Sequence, residues 1–149
     1  MNKKNDKKGF SLVELAIGLA VITILILAIS ASAGIRDNAR VQAAANSIET
    51  LRSAAENYIV STGEMDYSSL TVAALQANNL LSANFDATKS NPWGGSFSVA
   101  PNAANSTHFD IALGGLNQAA GDKLISYFKN HAYSTPTYDP KKTTWIATF

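Results

Sequence analysis

The feature that most constrains this chain is a stretch of 21 residues without a charged side chain, from Leu15 to Ile35. As an α-helix it would extend over roughly 32 Å, close to the thickness of the hydrocarbon core of a bilayer. Four lysines and one aspartate precede it within residues 1–9, and such a basic flank normally stays in the cytoplasm. The pattern predicts one membrane helix, with everything after Arg36 exported.

Three interpretations of this segment fit its composition. A secretory signal peptide would consist of the basic start and the apolar run, and it would be cleaved at the small residues Ala31, Ser32 and Ala33. A signal anchor would keep the segment attached to the protein. The third interpretation places the cut before the apolar run, between Gly9 and Phe10, so that the hydrophobic residues remain at the start of the mature chain.

The residues that join the lysines to the apolar run favour the third interpretation. They read Lys-Gly-Phe-Ser-Leu-Val-Glu, from Lys8 to Glu14. This motif resembles the class III signal of type IV pilins and the related pseudopilins, in which a short basic leader ends in Gly, Phe follows, and a carboxylate occupies the fifth mature position. Glu14 is the fifth residue counted from Phe10. The resemblance covers about residues 3–40.

The resemblance implies specific roles for three residues. A prepilin peptidase would cut after Gly9, remove residues 1–9 and N-methylate Phe10. Glu14 of one subunit would then neutralise the new α-amino group of Phe10 on its neighbour during assembly. A carboxylate at the edge of an apolar helix is costly unless it is paired, which agrees with this role. No catalytic residue is predicted, and we do not expect an enzyme.

The resemblance also implies a function. We expect a structural subunit, in the major-pilin role, that is held in the bacterial inner membrane and then polymerises with identical copies into an extracellular type IV pilus. Its partners would be the prepilin peptidase, the assembly platform and the assembly ATPase. The alternatives are a pseudopilin of a type II secretion system and a minor pilin that acts in adhesion or DNA uptake.

The first helix is predicted to continue beyond the apolar run to Thr62, because no proline occurs between Phe10 and Asn91 and because Gly63 is a natural helix end. An apolar stripe at helical spacing marks its second half: Val41, Ala44 or Ala45, Ile48, Leu51, Ala55, Tyr58 and Thr62. Charged residues three or four positions apart should pair on the other face. The predicted organisation is a leader (1–9), a hydrophobic membrane and filament helix (10–35), an amphipathic continuation (36–62) and a globular head (63–149).

The head is predicted to be a small antiparallel sheet laid over the second half of the helix, which makes the whole chain an α+β protein with the type IV pilin fold. Alternating apolar and polar residues predict strands at 96–100, 107–113 and 145–149. Helices are predicted at 72–77, capped by Thr71, and at 117–130, capped by Asn117. Pro136 and Pro140 are expected to break regular structure.

A second resemblance concerns the head. The turn Asn-Pro-Trp-Gly-Gly at 91–95, a strand, and the run Leu-Asn-Gln-Ala-Ala-Gly-Asp-Lys-Leu-Ile at 116–125 are similar to the globular domain of type IVb pilins. Those relatives carry a disulfide-bonded cysteine in the corresponding run. Here the matching position is Gly121, and the chain contains no cysteine.

The remaining composition excludes several classes of protein. Without cysteine there is no disulfide, no thiolate catalysis and no Cys-ligated zinc. The net charge is +1, and loss of residues 1–9 leaves eight basic and ten acidic residues, or −2, which disfavours nucleic-acid binding. His108 and His131 are expected to be surface residues, and no metal or cofactor is predicted.

Overall fold

The computed structural model describes residues 12–88 and 91–149, apart from the side chains of residues 28–34. Its elements, in chain order, are α1 (Leu12–Thr62), α2 (Val72–Ala77), β1 (Phe97–Pro101), β2 (Phe109–Leu113), α3 (Gln118–Phe128), β3 (Thr137–Asp139) and β4 (Thr144–Thr148). A long N-terminal helix with a small antiparallel sheet confirms the predicted α+β class and matches the type IV pilin fold.

The chain divides into two compact units, Met1–Arg36 and Asp37–Phe149, and α1 contributes residues to both. The hydrophobic core lies within the second unit, where its buried residues extend from Ala44 to Ala147. Its largest fully buried side chains include Trp145 from β4 and Phe128 from α3. The second unit therefore contains a core of its own.

The second half of α1 contributes one face to this core, as the apolar stripe predicts. Its buried residues are Ala44, Ala45, Ile48, Leu51, Ala54, Ala55 and Tyr58. The helix ends where expected, because Gly63 adopts a left-handed backbone with φ of 74° and its amide donates to the carbonyl of Ile59 at 2.9 Å.

The predicted ion pairs form on the more exposed side of the same helix. They are Asp37–Arg40, Glu49–Arg52 and Arg52–Glu56, with N–O distances of 3.9, 3.9 and 2.8 Å. The Arg52 guanidinium also lies 5.1 Å from the centre of the Phe149 ring, a cation–π contact that joins α1 to the end of the chain. Each helix pair stabilises the fold by only about 0.3–0.5 kcal/mol, so packing dominates.

The four strands form one antiparallel sheet in the order β1-β2-β4-β3. Alternate residues face the core, and these are Phe97, Val99, Phe109, Ile111, Leu113, Trp145 and Ala147. The predicted strands are confirmed with shifted bounds, since β1 and β4 each move by one residue and β2 begins two residues later. Both predicted caps are present: the Thr71 hydroxyl accepts from the Ala74 amide at 3.0 Å, and the Asn117 side chain accepts from the Ala120 amide at 2.8 Å.

Pro136 and Pro140 were expected to break the chain after α3, but they flank a short strand that was not predicted, because β3 occupies the three residues that separate them. Tyr138 of β3 pairs with Trp145 of β4. Prolines are tolerated beside β3 because it is an edge strand. At a sheet edge, the amide that proline lacks is not needed for a hydrogen bond to a neighbouring strand. Three residues are also too few for an alternating pattern to be recognised.

The predicted turn at 91–95 packs directly against Gly114 through Asn91, which is 4% exposed. Its Nδ2 donates to the Gly114 carbonyl at 2.6 Å, and its Oδ1 accepts from the Gly95 amide at 2.9 Å. A Cβ at Gly95 would collide with the Gly114 carbonyl. Glycine is therefore required at Gly95 by the close approach of a backbone segment that precedes α3.

Gly121, which the sequence resemblance aligns with a cysteine of type IVb pilins, packs against an aromatic ring. A Cβ on Gly121, which is buried in α3, would lie 2.6 Å from Cγ of Tyr138 on β3. The Tyr138 hydroxyl donates to the carbonyl of Leu116 at 2.8 Å. The C-terminal strands are thus held to α3 by a glycine–tyrosine contact and a hydrogen bond.

A polar contact joins the loop after α1 to the loop before β2. Asp66 accepts from the Ser68 amide at 3.0 Å and from the Ser106 hydroxyl at 2.9 Å, and the amide of Tyr67 donates to the carbonyl of Ser106 at 2.8 Å. The pKa of Asp66 is lowered most by a hydrogen bond from the Ser68 hydroxyl, next by the Ser68 amide, and then by the Ser106 hydroxyl. The ionised carboxylate therefore stabilises this junction.

Replacing Gly121 should destabilise the head although it improves helix propensity. Gly121→Ala adds about 1 kcal/mol of favourable propensity, but the clash with the Tyr138 ring should cost about 1–3 kcal/mol. In a Tyr138→Ala background the clash is gone, so the same substitution should become neutral or stabilising. Urea unfolding of the four proteins of this double-mutant cycle measures the coupling, and equal effects of Gly121→Ala in both backgrounds would contradict the contact.

Acid should weaken the junction at Asp66. Because its pKa in the folded state is lowered, its stabilising effect is complete above the ordinary aspartate pKa of about 3.9 and is lost as the pH falls through the folded value. Asp66→Asn should therefore lower the stability at pH 7, and the difference from the parent should vanish below the folded pKa. Thermal unfolding as a function of pH tests this. A difference that stays constant across the range would rule out the ionised carboxylate as its cause.

Candidate functional site

The first half of α1 presents apolar side chains around its whole circumference. Between Leu12 and Leu27, eleven large apolar side chains are each at least half exposed: Leu12, Val13, Leu15, Ile17, Leu19, Val21, Ile22, Ile24, Leu25, Ile26 and Leu27. Consecutive helical residues point in all directions, so no face of this segment is polar throughout. A helix that is apolar on all sides is stable only when other groups cover it, which makes this segment the candidate functional surface.

Glu14 lies in the first turn of α1, where the positive end of the helix dipole favours a carboxylate. It is exposed and lines a surface hollow of about 330 Å³ together with Leu15, Gly18, Leu19 and Ile22. The hollow arises because Gly18 has no side chain between neighbours one turn before and one turn after it. Among the residues that the structure describes, Glu14 is the only ionisable group that lines it.

The structure brings together only part of the predicted site. Glu14 is placed as described, whereas Gly9 and Phe10 lie outside the described residues. Cleavage between them, methylation of Phe10 and the pairing of Phe10 with Glu14 therefore stay predictions. The hollow beside Glu14 was not predicted, although the spacing of Leu15, Gly18, Leu19 and Ile22 marks it in the sequence.

The predicted membrane helix over residues 10–35 is not confirmed. Within the part of the chain that the structure describes, no helix is both long enough and apolar enough to cross a membrane.

The histidines of the head lie among aromatic side chains. The ring of His108 packs on Tyr133 with a centroid distance of 3.8 Å, and its Nδ1 lies 3.0 Å from the hydroxyl oxygen of Thr107. His131 stacks on Tyr127 at 6.1 Å. In residues 12–88 and 91–149, no group of three or more His, Asp or Glu side chains is placed to hold a metal ion.

Comparison with known families identifies the same N-terminal region. A family model described as the prokaryotic N-terminal methylation motif matches residues 4–30, less than a fifth of the chain. No curated protein matches the chain. The motif supports a type IV pilin-like family, and it is a signal found on structural pilin-type proteins, not an enzyme motif. It implies processing by a prepilin peptidase and, in general, the use of pilus assembly machinery.

The two units should behave differently in solution when they are separated. A fragment of residues 37–149 keeps every core residue and lacks the exposed apolar segment, so it should fold as a monomer without detergent. The chain beginning at Phe10 should associate under the same conditions, because its exposed side chains have nothing else to cover them. Analytical ultracentrifugation measures both. Association of the fragment, or a monomeric longer chain, would show that another surface drives self-association.

Proposed function

We propose that this protein is the structural subunit, in the major-pilin role, of a type IV pilus. In this proposal the chain is cut between Gly9 and Phe10, methylated on Phe10, and polymerised into an extracellular filament through the first half of α1. The observation that carries the proposal is the helix of exposed apolar side chains from Leu12 to Leu27, which directly follows the cleavage motif and lies within the methylation-motif match.

Burial of this segment stabilises the assembled filament against release of subunits into water. A large apolar side chain stabilises a complex by about 1.5–3 kcal/mol when it is fully buried from water. The eleven side chains are already partly covered by their own helix, and association has its own entropic cost. Relative to a subunit released into water, a filament core built from many such helices is thus stabilised by a net amount on the order of 10 kcal/mol per subunit.

Glu14 supplies the specificity in this proposal. Packing identical helices together removes their carboxylates from water, and a buried charge without a partner costs several kcal/mol. Cleavage after Gly9 would create a positive α-amino group on Phe10, and this group on a second copy would compensate the Glu14 charge. An uncut chain lacks that amine, so processing and assembly are coupled.

The head supports assembly through the helix rather than through its sheet. Both edge strands carry proline at or beside their ends: Pro101 closes β1, and Pro136 and Pro140 flank β3. Proline has no amide to donate to an added strand, so these edges are poor templates for strand pairing. Residues 63–149 would then form the filament surface.

The remaining assignments follow from this role. Residues 1–9 are the leader, residues 10–35 the filament core, and residues 36–62 the amphipathic continuation that carries the head. The chain is held at the bacterial inner membrane until the assembly platform and its ATPase add it to the growing pilus. The head is of the type IVb kind, with the Gly121–Tyr138 contact at the place of the disulfide.

Removing the charge of Glu14 tests this function. Glu14→Gln should leave cleavage after Gly9 and the folding of the head unchanged, but should lower the yield of sheared filaments at least about tenfold, because the Phe10 amine loses its partner. Glu49→Gln is the matched control, since it removes a carboxylate on the same helix that pairs with Arg52 within one copy. Immunoblots of sheared and cellular fractions measure both.

Two results would contradict the proposal. Filament yields of Glu14→Gln that equal those of the parent would exclude the pairing. A parent strain without surface filaments that contain this chain would exclude the pilus itself.

A further inference from the structure

The loop between β1 and β2 carries a sequence motif that the proposed pilus assembly does not use. Asn105, Ser106 and Thr107 match the pattern Asn-X-Ser/Thr, which is the acceptor for a sugar on an asparagine side chain. No other asparagine of the chain has a serine or threonine two positions later. Such acceptors lie on surface loops of secreted proteins, and the proposed function exports this head.

The acceptor atom of the motif is accessible. Residues 102–108 form a loop between Pro101 of β1 and Phe109 of β2, which pair with each other. Asn105 lies in this loop and is exposed. Its side-chain nitrogen Nδ2, to which a sugar would be joined, donates no hydrogen bond to any residue that the structure describes. Attachment of a sugar would therefore break no contact of this atom.

The hydroxyl of the motif is in contact with the acceptor amide. Oγ1 of Thr107 donates to Oδ1 of Asn105 at 2.8 Å, and the Thr107 amide donates to the same oxygen at 3.0 Å. Donors on the carbonyl oxygen stabilise the deprotonated amide, so a proton of Nδ2 is easier to remove. Because a nitrogen–carbon bond forms only as Nδ2 loses a proton, this arrangement suits attachment of a sugar.

Two aromatic rings, His108 and Tyr133, pack together beside the motif and are called the ring pair below. Their centroids are 3.8 Å apart, and Nδ1 of His108 lies 3.0 Å from the hydroxyl oxygen of Thr107. Tyr133 is 71% exposed, so part of its ring is open to solvent. The C–H groups on one face of a sugar ring are apolar, and packing them on an open aromatic ring removes both surfaces from water.

Hydrogen bonds hold the motif and the ring pair in place on the head. The Ser106 hydroxyl donates to Asp66 at 2.9 Å, which ties the centre of the motif to the loop after α1. The Tyr133 amide donates to the carbonyl of Thr148 in β4 at 2.8 Å. A sugar joined to Asn105 would thus find a fixed apolar surface next to it.

We propose that Asn105 is a glycosylation site whose first sugar packs on the ring pair. The sugar donor is a compound whose anomeric carbon is bonded to a diphosphate. Nδ2 of Asn105 forms a bond to this carbon, while the bond from the carbon to the diphosphate oxygen breaks and the leaving oxygen keeps the electron pair. Nδ2 loses one proton to a base of the transferase, and nothing is oxidised or reduced.

This inference goes beyond the proposed function, because assembly through the first half of α1 does not require a sugar on the head. The sugar would cover the open part of the Tyr133 ring with a polar, solubilising group. An exposed aromatic side chain on a filament surface would otherwise favour contact between neighbouring filaments.

Mass spectrometry of the mature chain from the organism that produces it tests the attachment. Trypsin releases residues 90–123 as one peptide, which contains Asn105 and no lysine or arginine before its last residue. The parent peptide should be heavier than its sequence by the mass of one or more sugars. Asn105→Gln should remove this excess, and Thr107→Ala should remove it as well, because the motif requires the hydroxyl.

Two variants are matched controls for damage to the loop. Oδ1 of Asn102 accepts from the Asn105 amide at 3.1 Å, so Asn102→Gln disturbs the same loop without changing the motif. Thr107→Ser keeps the hydroxyl. Both variants should retain the excess mass, whereas a motif that only supports the loop predicts no excess mass in any of the proteins.

Thermal unfolding measures the contact between the sugar and the ring pair. Asn105→Gln should lower the melting temperature of the head in the parent, and should do so much less in a Tyr133→Ala background. Loss of the hydrogen bonds from Thr107 acts equally in both backgrounds. The difference between the two shifts therefore reports the sugar, and equal shifts would show that the sugar does not pack on Tyr133.

The outcomes separate this inference from the proposed function. A parent peptide without excess mass, or an excess that survives Asn105→Gln, would overturn the glycosylation site and leave the pilus assignment standing. If the peptide is bare and free N-acetylglucosamine shifts the NMR signals of Tyr133, the ring pair binds a free saccharide and covalent attachment is wrong. A sugar on Asn105 in cells that make no filaments of this chain would support the site and exclude the pilus alone.

Discussion

The first half of α1 cannot cover its own apolar side chains, and the account of this protein depends on that constraint. Side chains from Leu12 to Leu27 point outward all around one helix, so water must be excluded by something other than the same segment. A single carboxylate, Glu14, stands within this surface. In the proposed filament, a processed copy of the same chain covers this surface and brings a positive charge to Glu14.

The head differs from the first half of α1, because its core is covered within one chain. It covers one stripe of α1 and must be stable with that contact alone. It has no disulfide, and three non-covalent contacts hold its loops, strands and helices together. Asn91 joins the turn at 91–95 to Gly114, Tyr138 packs on Gly121, and Arg52 lies over the Phe149 ring. Each contact joins segments that are distant in sequence, so the C-terminal strands are held to α1 and α3 without a covalent link.

Much of the fold was predictable because its signals are local. The end of α1 at Gly63, the caps at Thr71 and Asn117 and the buried stripe of α1 each depend on residues within one or two turns. Strand β3 was missed because its three residues lie between prolines, which are tolerated only at a sheet edge. The contacts of Gly95 and Gly121 were missed because they depend on backbone and ring atoms far along the chain. For the candidate site, a sequence motif predicted Glu14. The hollow was not predicted, because it depends on Gly18 having no side chain between its neighbours on the helix surface.

The mass of the subunit in purified surface filaments tests whether the mature chain begins at Phe10. We expect a chain that begins at Phe10, carries one methyl group on its α-amino nitrogen, and is the most abundant protein of the preparation. A filament subunit that retains residues 1–9, or a mature protein that begins after Ala33, would contradict it, because the amine that is proposed to pair with Glu14 would then not exist.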